Sequence, residues 1–120
     1  MSPENGEARA LASEIRGQLK DPGKVFGLMI RFRLREGMQQ KFEATFAKAI
    51  AATRKEAGVV SYELNRDAKD ATRYFLNERW KNWPALQTHL EAPYTVNLLG
   101  EITPMLAAAP ELHVVTPAAE

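Results

Sequence analysis

The chain has 120 residues, 45% hydrophobic and 26% charged, which suits one globular domain able to bury its own core. A formal net charge of +1 supplies no field that would draw in nucleic acid or an anionic membrane, and the lack of cysteine excludes disulfides, thiolate metal sites and a cysteine nucleophile. No apolar run approaches the ~18 residues of a membrane span; Met1-Ser2-Pro3-Glu4-Asn5-Gly6 lacks the basic and apolar regions of a secretory signal, so a cytoplasmic protein is expected.

From Glu7 to Lys20, Ala8, Leu11, Ala12, Ile15 and Leu19 recur at i, i+3/i+4, the spacing of an amphipathic helix, and Asp21-Pro22-Gly23 stops it. Lys24 to Leu34 changes period. Phe26, Leu28, Ile30, Phe32 and Leu34 fall on one face; Val25, Gly27, Met29, Arg31 and Arg33 fall on the other. This predicts a strand with an apolar face under helices and an arginine-bearing face toward solvent or a polar cavity. After the turn Arg35-Glu36-Gly37, the stripe Met38, Phe42, Phe46, Ala49, Ile50 and Thr53 predicts a helix to about Ala57, ended by Gly58 as a C-cap glycine. Val59 to Arg66 and Thr72 to Lys81 read as strands of a hairpin through Asp67-Ala68-Lys69-Asp70. Asn82 caps a short helix with Pro84 in its first turn and Leu86 and Leu90 inward. Ala92-Pro93 breaks it, Tyr94 to about Ala107 is helical until Pro104 kinks or ends it, and Leu112 to Thr116 is a last strand.

After the leading helix the order is β-α-β-β-α(α)-β, which predicts an α+β, ferredoxin-like fold: an antiparallel sheet with helices on one face. The uncovered face is expected to carry Met29, Arg31, Tyr74, Leu76 and Trp80. An exposed mixed face with large aromatics meets a partner, and the simplest is a second copy, sheet to sheet, about a two-fold axis. Residues 1–23 form an N-terminal extension with its helix, and 24–117 form the domain.

Four segments carry a family resemblance: Arg31 to Met38, Glu56 to Leu64, Asn77-Glu78-Arg79-Trp80-Lys81-Asn82, and Ala85 to Leu90 with Pro93-Tyr94. In this order and spacing the chain resembles the antibiotic biosynthesis monooxygenase (ABM) domains, and within them the YgiN-like quinol monooxygenases. The resemblance implies a dimeric α+β barrel whose two sheets face each other across a cavity. It also implies oxygenation of an electron-rich aromatic, a quinol or anthrone, by dioxygen without flavin, haem or metal, so no cofactor is expected. Haem-degrading relatives carry an asparagine on the first strand where this chain has Met29-Ile30-Arg31-Phe32. Polyketide-tailoring members carry one four residues before the tryptophan, where Leu76 stands. The His-x-x-x-Pro-His pattern of quinol-type members here runs from His89 to Pro93-Tyr94.

Each candidate has a chemical and a structural role open to it. Trp80 can stack on a planar ring or anchor the dimer core. His89 can accept a proton or be a surface histidine bonded to a carbonyl. Glu78, on the face of Trp80, can accept a proton or pair with Arg31, and the ion pair is the preferred reading. Arg31 can stabilise an anion or be a salt-bridged sheet residue. Tyr62 and Tyr74 can orient quinol oxygens or pack across strands, with Leu76 and Met29 completing the binding wall. His89 and His113 lie on different elements, so no metal set is expected. The expected activity is a cofactor-independent monooxygenase; the alternatives are a non-catalytic binding protein of the same fold for a small ligand, or a haem-binding relative.

Overall fold

A computed structural model describes residues 3–119. Helix α1 spans Pro3–Gly17, strand β1 Phe26–Arg33, α2 Gln39–Thr53, β2 Val59–Arg66, β3 Arg73–Trp80, α3 Trp83–Glu91, α4 Pro93–Ile102 and β4 Glu111–Val115, with a short 3-10 turn over Thr103–Met105. The strands form one antiparallel sheet in the order β2-β3-β1-β4. This is the ferredoxin-like arrangement predicted. Pro104 sits in the 3-10 turn, where a residue without an N–H replaces the last turn of α4.

The core lies between the sheet and the helices. Phe32, Phe42 and Phe46 pack together at centroid distances of 5.0–5.8 Å, Phe32 and Phe42 edge to face and the other two pairs tilted, and Phe26, Leu28 and Leu86 are buried with them. Helix α1 packs on α3 and α4, burying Ile15, and Leu19 just beyond its end joins the same core.

The register of β3 reverses one expectation. Phe26 pairs with Trp80, Leu28 with Glu78, Ile30 with Leu76 and Phe32 with Tyr74. Directly paired residues share a face, so Tyr74, Leu76, Glu78 and Trp80 point into the helix-covered core, not onto the open face with Met29 and Arg31. The open face instead carries Phe75, Asn77 and Arg79 beside Met29, Arg31, Ser61, Glu63, Glu111 and His113. The expected Glu78–Arg31 ion pair is therefore ruled out; Arg31 bridges to Glu111 at 2.9 Å.

Helix α2 ends at Thr53 rather than near Ala57, and the chain turns tightly through residues 54–58, with Glu56 N–H donating to Thr53 O at 3.0 Å. Gly58 does not take the left-handed conformation of a C-cap; among the described residues only Gly37 has a positive φ, 82°. Gly58 is required for space. A Cβ there would lie 2.2 Å from Ala85 Cβ, so the absence of a side chain lets this turn rest directly on α3.

Candidate active site

Between the sheet and α3 and α4 lies an apolar cavity of about 40 Å³. Its floor includes Leu28, Ile30, Tyr62, Leu76 and Glu78, its walls His89 and residues of α4, and Leu11 reaches it from α1. The local sequence aims these groups. Asn82 Oδ1 accepts from Ala85 N–H at 3.0 Å and fixes the start of α3, so Leu86, His89 and Leu90 fall at i, i+3, i+4 on its inward face. The break at Ala92-Pro93 turns α4 so that Tyr94 and Thr95 come up to the imidazole.

His89 is the hub. Its ring lies 4.7 Å from the Trp80 ring at 38°, and 5.7 Å from that of Tyr62 at 61°. Its Nδ1 is 2.7 Å from Glu56 Oε2, and the Tyr94 hydroxyl donates to the same oxygen. Trp80 Nε1 donates to Glu78 Oε1 at 3.0 Å.

Burial dominates the electrostatics. It raises the Glu78 carboxyl from an ordinary 4.5 to about 7; the Trp80 hydrogen bond opposes this and the nearby Glu56 charge adds to it. Burial lowers the pKa of His89, and the contact with Glu56 acts in the opposite sense. Tyr62 and Tyr94 are pushed upward, again chiefly by burial, and stay protonated. The cavity therefore holds a neutral imidazole and a carboxyl that changes protonation near neutral pH, the pairing expected of proton-transfer chemistry.

Of the residues expected to act, Tyr62, Leu76, Glu78 and His89 line this cavity. Trp80 is fully buried behind His89 rather than on a wall between two sheets. Tyr74 lies further along the core against Phe42, its hydroxyl donating to Glu43. Met29 and Arg31 are on the opposite face of the sheet and share no cavity with His89. Sequence reasoning gave no role to Glu56, Tyr94 or Leu11. A carboxylate just past the C-terminal end of a helix was the available signal for Glu56, because the dipole there disfavours negative charge and such a group needs a partner. Among the described residues, no three His, Cys, Asp or Glu side chains gather to hold a metal.

A family model for antibiotic biosynthesis monooxygenase matches residues 25–97, the span that supplies the floor, Glu56 and His89 and leaves α1 outside. The structure of Rv0793 from Mycobacterium tuberculosis superposes with a TM-score of 0.76 at 26% identity, over 81% of this chain and 98% of that one. A Nitrosomonas europaea protein provisionally named an antibiotic biosynthesis monooxygenase shares the fold with a TM-score of 0.76 at 15% identity, over 83% and 96% of the two chains. In sequence, an uncharacterized protein of Synechocystis is 26% identical over 105 residues, 88% of this chain and 69% of that one.

Proposed function

The chain belongs to the antibiotic biosynthesis monooxygenase family, and from that premise we propose that it is a cofactor-independent monooxygenase oxidising a small quinol-like or polycyclic aromatic with dioxygen, in the cavity beneath its helices. One observation carries this reading: His89 and Glu78, the former neutral and the latter poised near neutrality, line one cavity whose other side chains are apolar apart from Tyr62 and Thr95.

The chemistry follows from the substrate's own electrons. His89 takes the hydroxyl proton of the bound ring. The resulting phenolate passes one electron to dioxygen, and the two radicals combine to form a C–O bond. The His89 imidazolium returns its proton to the peroxide oxygen, and the hydroperoxide then breaks its O–O bond while the same carbon loses its proton, leaving a carbonyl, so that RH2 + O2 gives RO + H2O. Glu78, its carboxyl raised to about 7 by burial, can supply the proton for the departing hydroxide and is reprotonated by the one lost from carbon. Tyr62, held protonated, donates to a ring oxygen. Exclusion of bulk water lengthens the life of the radical pair. Trp80 holds the imidazole plane from behind, and Leu76 forms part of the floor.

A cavity of about 40 Å³ accepts dioxygen, whereas ligand pockets ordinarily span ~300–1,000 Å³. Ring entry therefore requires a wall to move; Leu11 on α1 and Leu98, Leu99 and Ile102 on α4 line the cavity from outside the family-matched span, and of these Leu11 comes from the helix that precedes it. The open sheet face, with Met29 48% exposed at its centre, pairs with a second copy to complete a dimeric α+β barrel. The test is oxygen uptake with a panel of quinols and anthrones, wild type beside His89→Ala. Uptake lowered by the substitution supports the reading. Ring binding without uptake replaces it with a ligand-binding role, and neither binding nor uptake rejects the cavity as a site.

A further inference from the structure

We propose that Glu56 is the positioning residue of this site: it holds His89 in the Nδ1–H tautomer, so that Nε2 is the atom that takes the substrate proton. The role assigned to Nε2 rests on the monooxygenase reading; the tautomer rests on geometry alone.

An ionised carboxylate only accepts hydrogen bonds. Glu56 Oε2 stands 2.7 Å from His89 Nδ1, a charge-assisted distance, so Nδ1 must carry the hydrogen. The alternative partner of that nitrogen, Thr95 Oγ1, is at 3.5 Å, too long to compete. Nε2 has no hydrogen-bond partner among the described residues, and in a neutral ring with Nδ1 protonated it is the basic nitrogen. The Tyr94 hydroxyl donates to the same Glu56 oxygen and so restrains the carboxylate itself.

The placement of Glu56 is built into the backbone. Its turn, residues 54–58, rests on α3 through the bare Cα of Gly58 against Ala85, one helical turn before His89. The groups facing the ring are Glu56 from this turn, Tyr62 from β2, Trp80 from β3 and Tyr94 and Thr95 from α4, with Glu78 lining the same cavity. Glu56 is the one in hydrogen-bond contact with the imidazole as a charge. It therefore both selects the tautomer and stabilises the imidazolium once the proton has moved, the role a carboxylate serves beside a catalytic histidine on unrelated folds.

The test is ring nitrogen-15 NMR of His89 at neutral pH, which reads the tautomer with no substrate present, in wild type, Glu56→Gln and Glu56→Ala. The proposal expects wild type to show Nδ1 protonated and Nε2 bare. Glu56→Gln should keep that tautomer through its amide oxygen, with a lower ring pKa because the charge is gone. Glu56→Ala should lose it, shifting toward the Nε2–H form. A wild-type ring protonated at Nε2, or an Ala variant that keeps pure Nδ1–H, overturns the proposal. In oxygen uptake, Glu56→Ala should fall by the factor seen for His89→Ala, and the double variant no further, as for residues that act as one unit. Additive losses would overturn the action through His89. The expected tautomer without any oxygen uptake would instead sink the monooxygenase reading and leave the geometry standing.

Discussion

Replacing Glu78 by Gln tests the electrostatics of the cavity without needing a substrate. Glutamine keeps the shape and can still accept the Trp80 Nε1 hydrogen bond, now 3.0 Å long, but it carries no charge. In the wild type the folded carboxyl titrates at about 7 against an ordinary 4.5. Between those values the folded protein binds more protons than the unfolded chain, so stability falls as pH rises. The contribution is fully present below pH 4.5 and lost as pH passes 7. At about 1.4 kcal/mol per pH unit, the loss is roughly 3 kcal/mol. Urea unfolding of both proteins from pH 4.5 to 8 isolates this contribution, because the remaining groups are common to the two chains and cancel in the difference. Glu78→Gln should match the wild type at the acid end and exceed it by roughly 3 kcal/mol at pH 8. A difference that stays flat across the range, or a variant less stable at pH 8, would refute the claim that this carboxyl is buried and charged at a cost.

Three further substitutions probe the frame of the site. Gly58→Ala drives a methyl to within 2.2 Å of Ala85 Cβ; it should cost about 1–3 kcal/mol in urea unfolding, and adding Ala85→Gly should recover most of that apart from the ~1 kcal/mol that glycine costs a helix. Met29→Glu puts a charge at the centre of the open sheet face, the proposed dimer surface; light scattering should show a dimer for the wild type and a monomer for the variant, and equal masses would overturn this interface. Leu11→Ala removes a half-buried cavity wall, should cost about 1–2 kcal/mol, less than the ~2–5 kcal/mol of a fully buried leucine, and should strengthen quenching of tryptophan fluorescence by an added naphthoquinol; unchanged quenching would mean that the ring enters past another wall.

The fold was legible because its signals are local. The alternation of Phe26 to Leu34, the Asn82 cap and the breaks at Pro93 and Pro104 each act within a few residues, and the structure places elements there. The site was less legible because it depends on which face of β3 is inward, and that is set by pairing across β1, a long-range property no single strand displays. The polarity of β3 did contain a hint. Arg73, Asn77 and Arg79 alternate with Tyr74, Leu76 and Trp80, and Glu78 alone breaks the apolar set. Read as a pattern, that places the set beneath the helices and leaves one carboxylate in the core. Read as a charge that must reach water, Glu78 turns the strand over. The structure takes the first course, and the cost of burying the carboxylate appears as its raised pKa. A strand that accepts this penalty at one position while keeping charged Arg73 and Arg79 on the open face is what the proposed proton-transfer role of Glu78 requires. The same logic applies to Glu56, set against the helix dipole yet held by His89 and Tyr94. Of the two carboxylates that local rules would have sent elsewhere, Glu56 holds the imidazole and Glu78, bonded to Trp80, lines the same cavity.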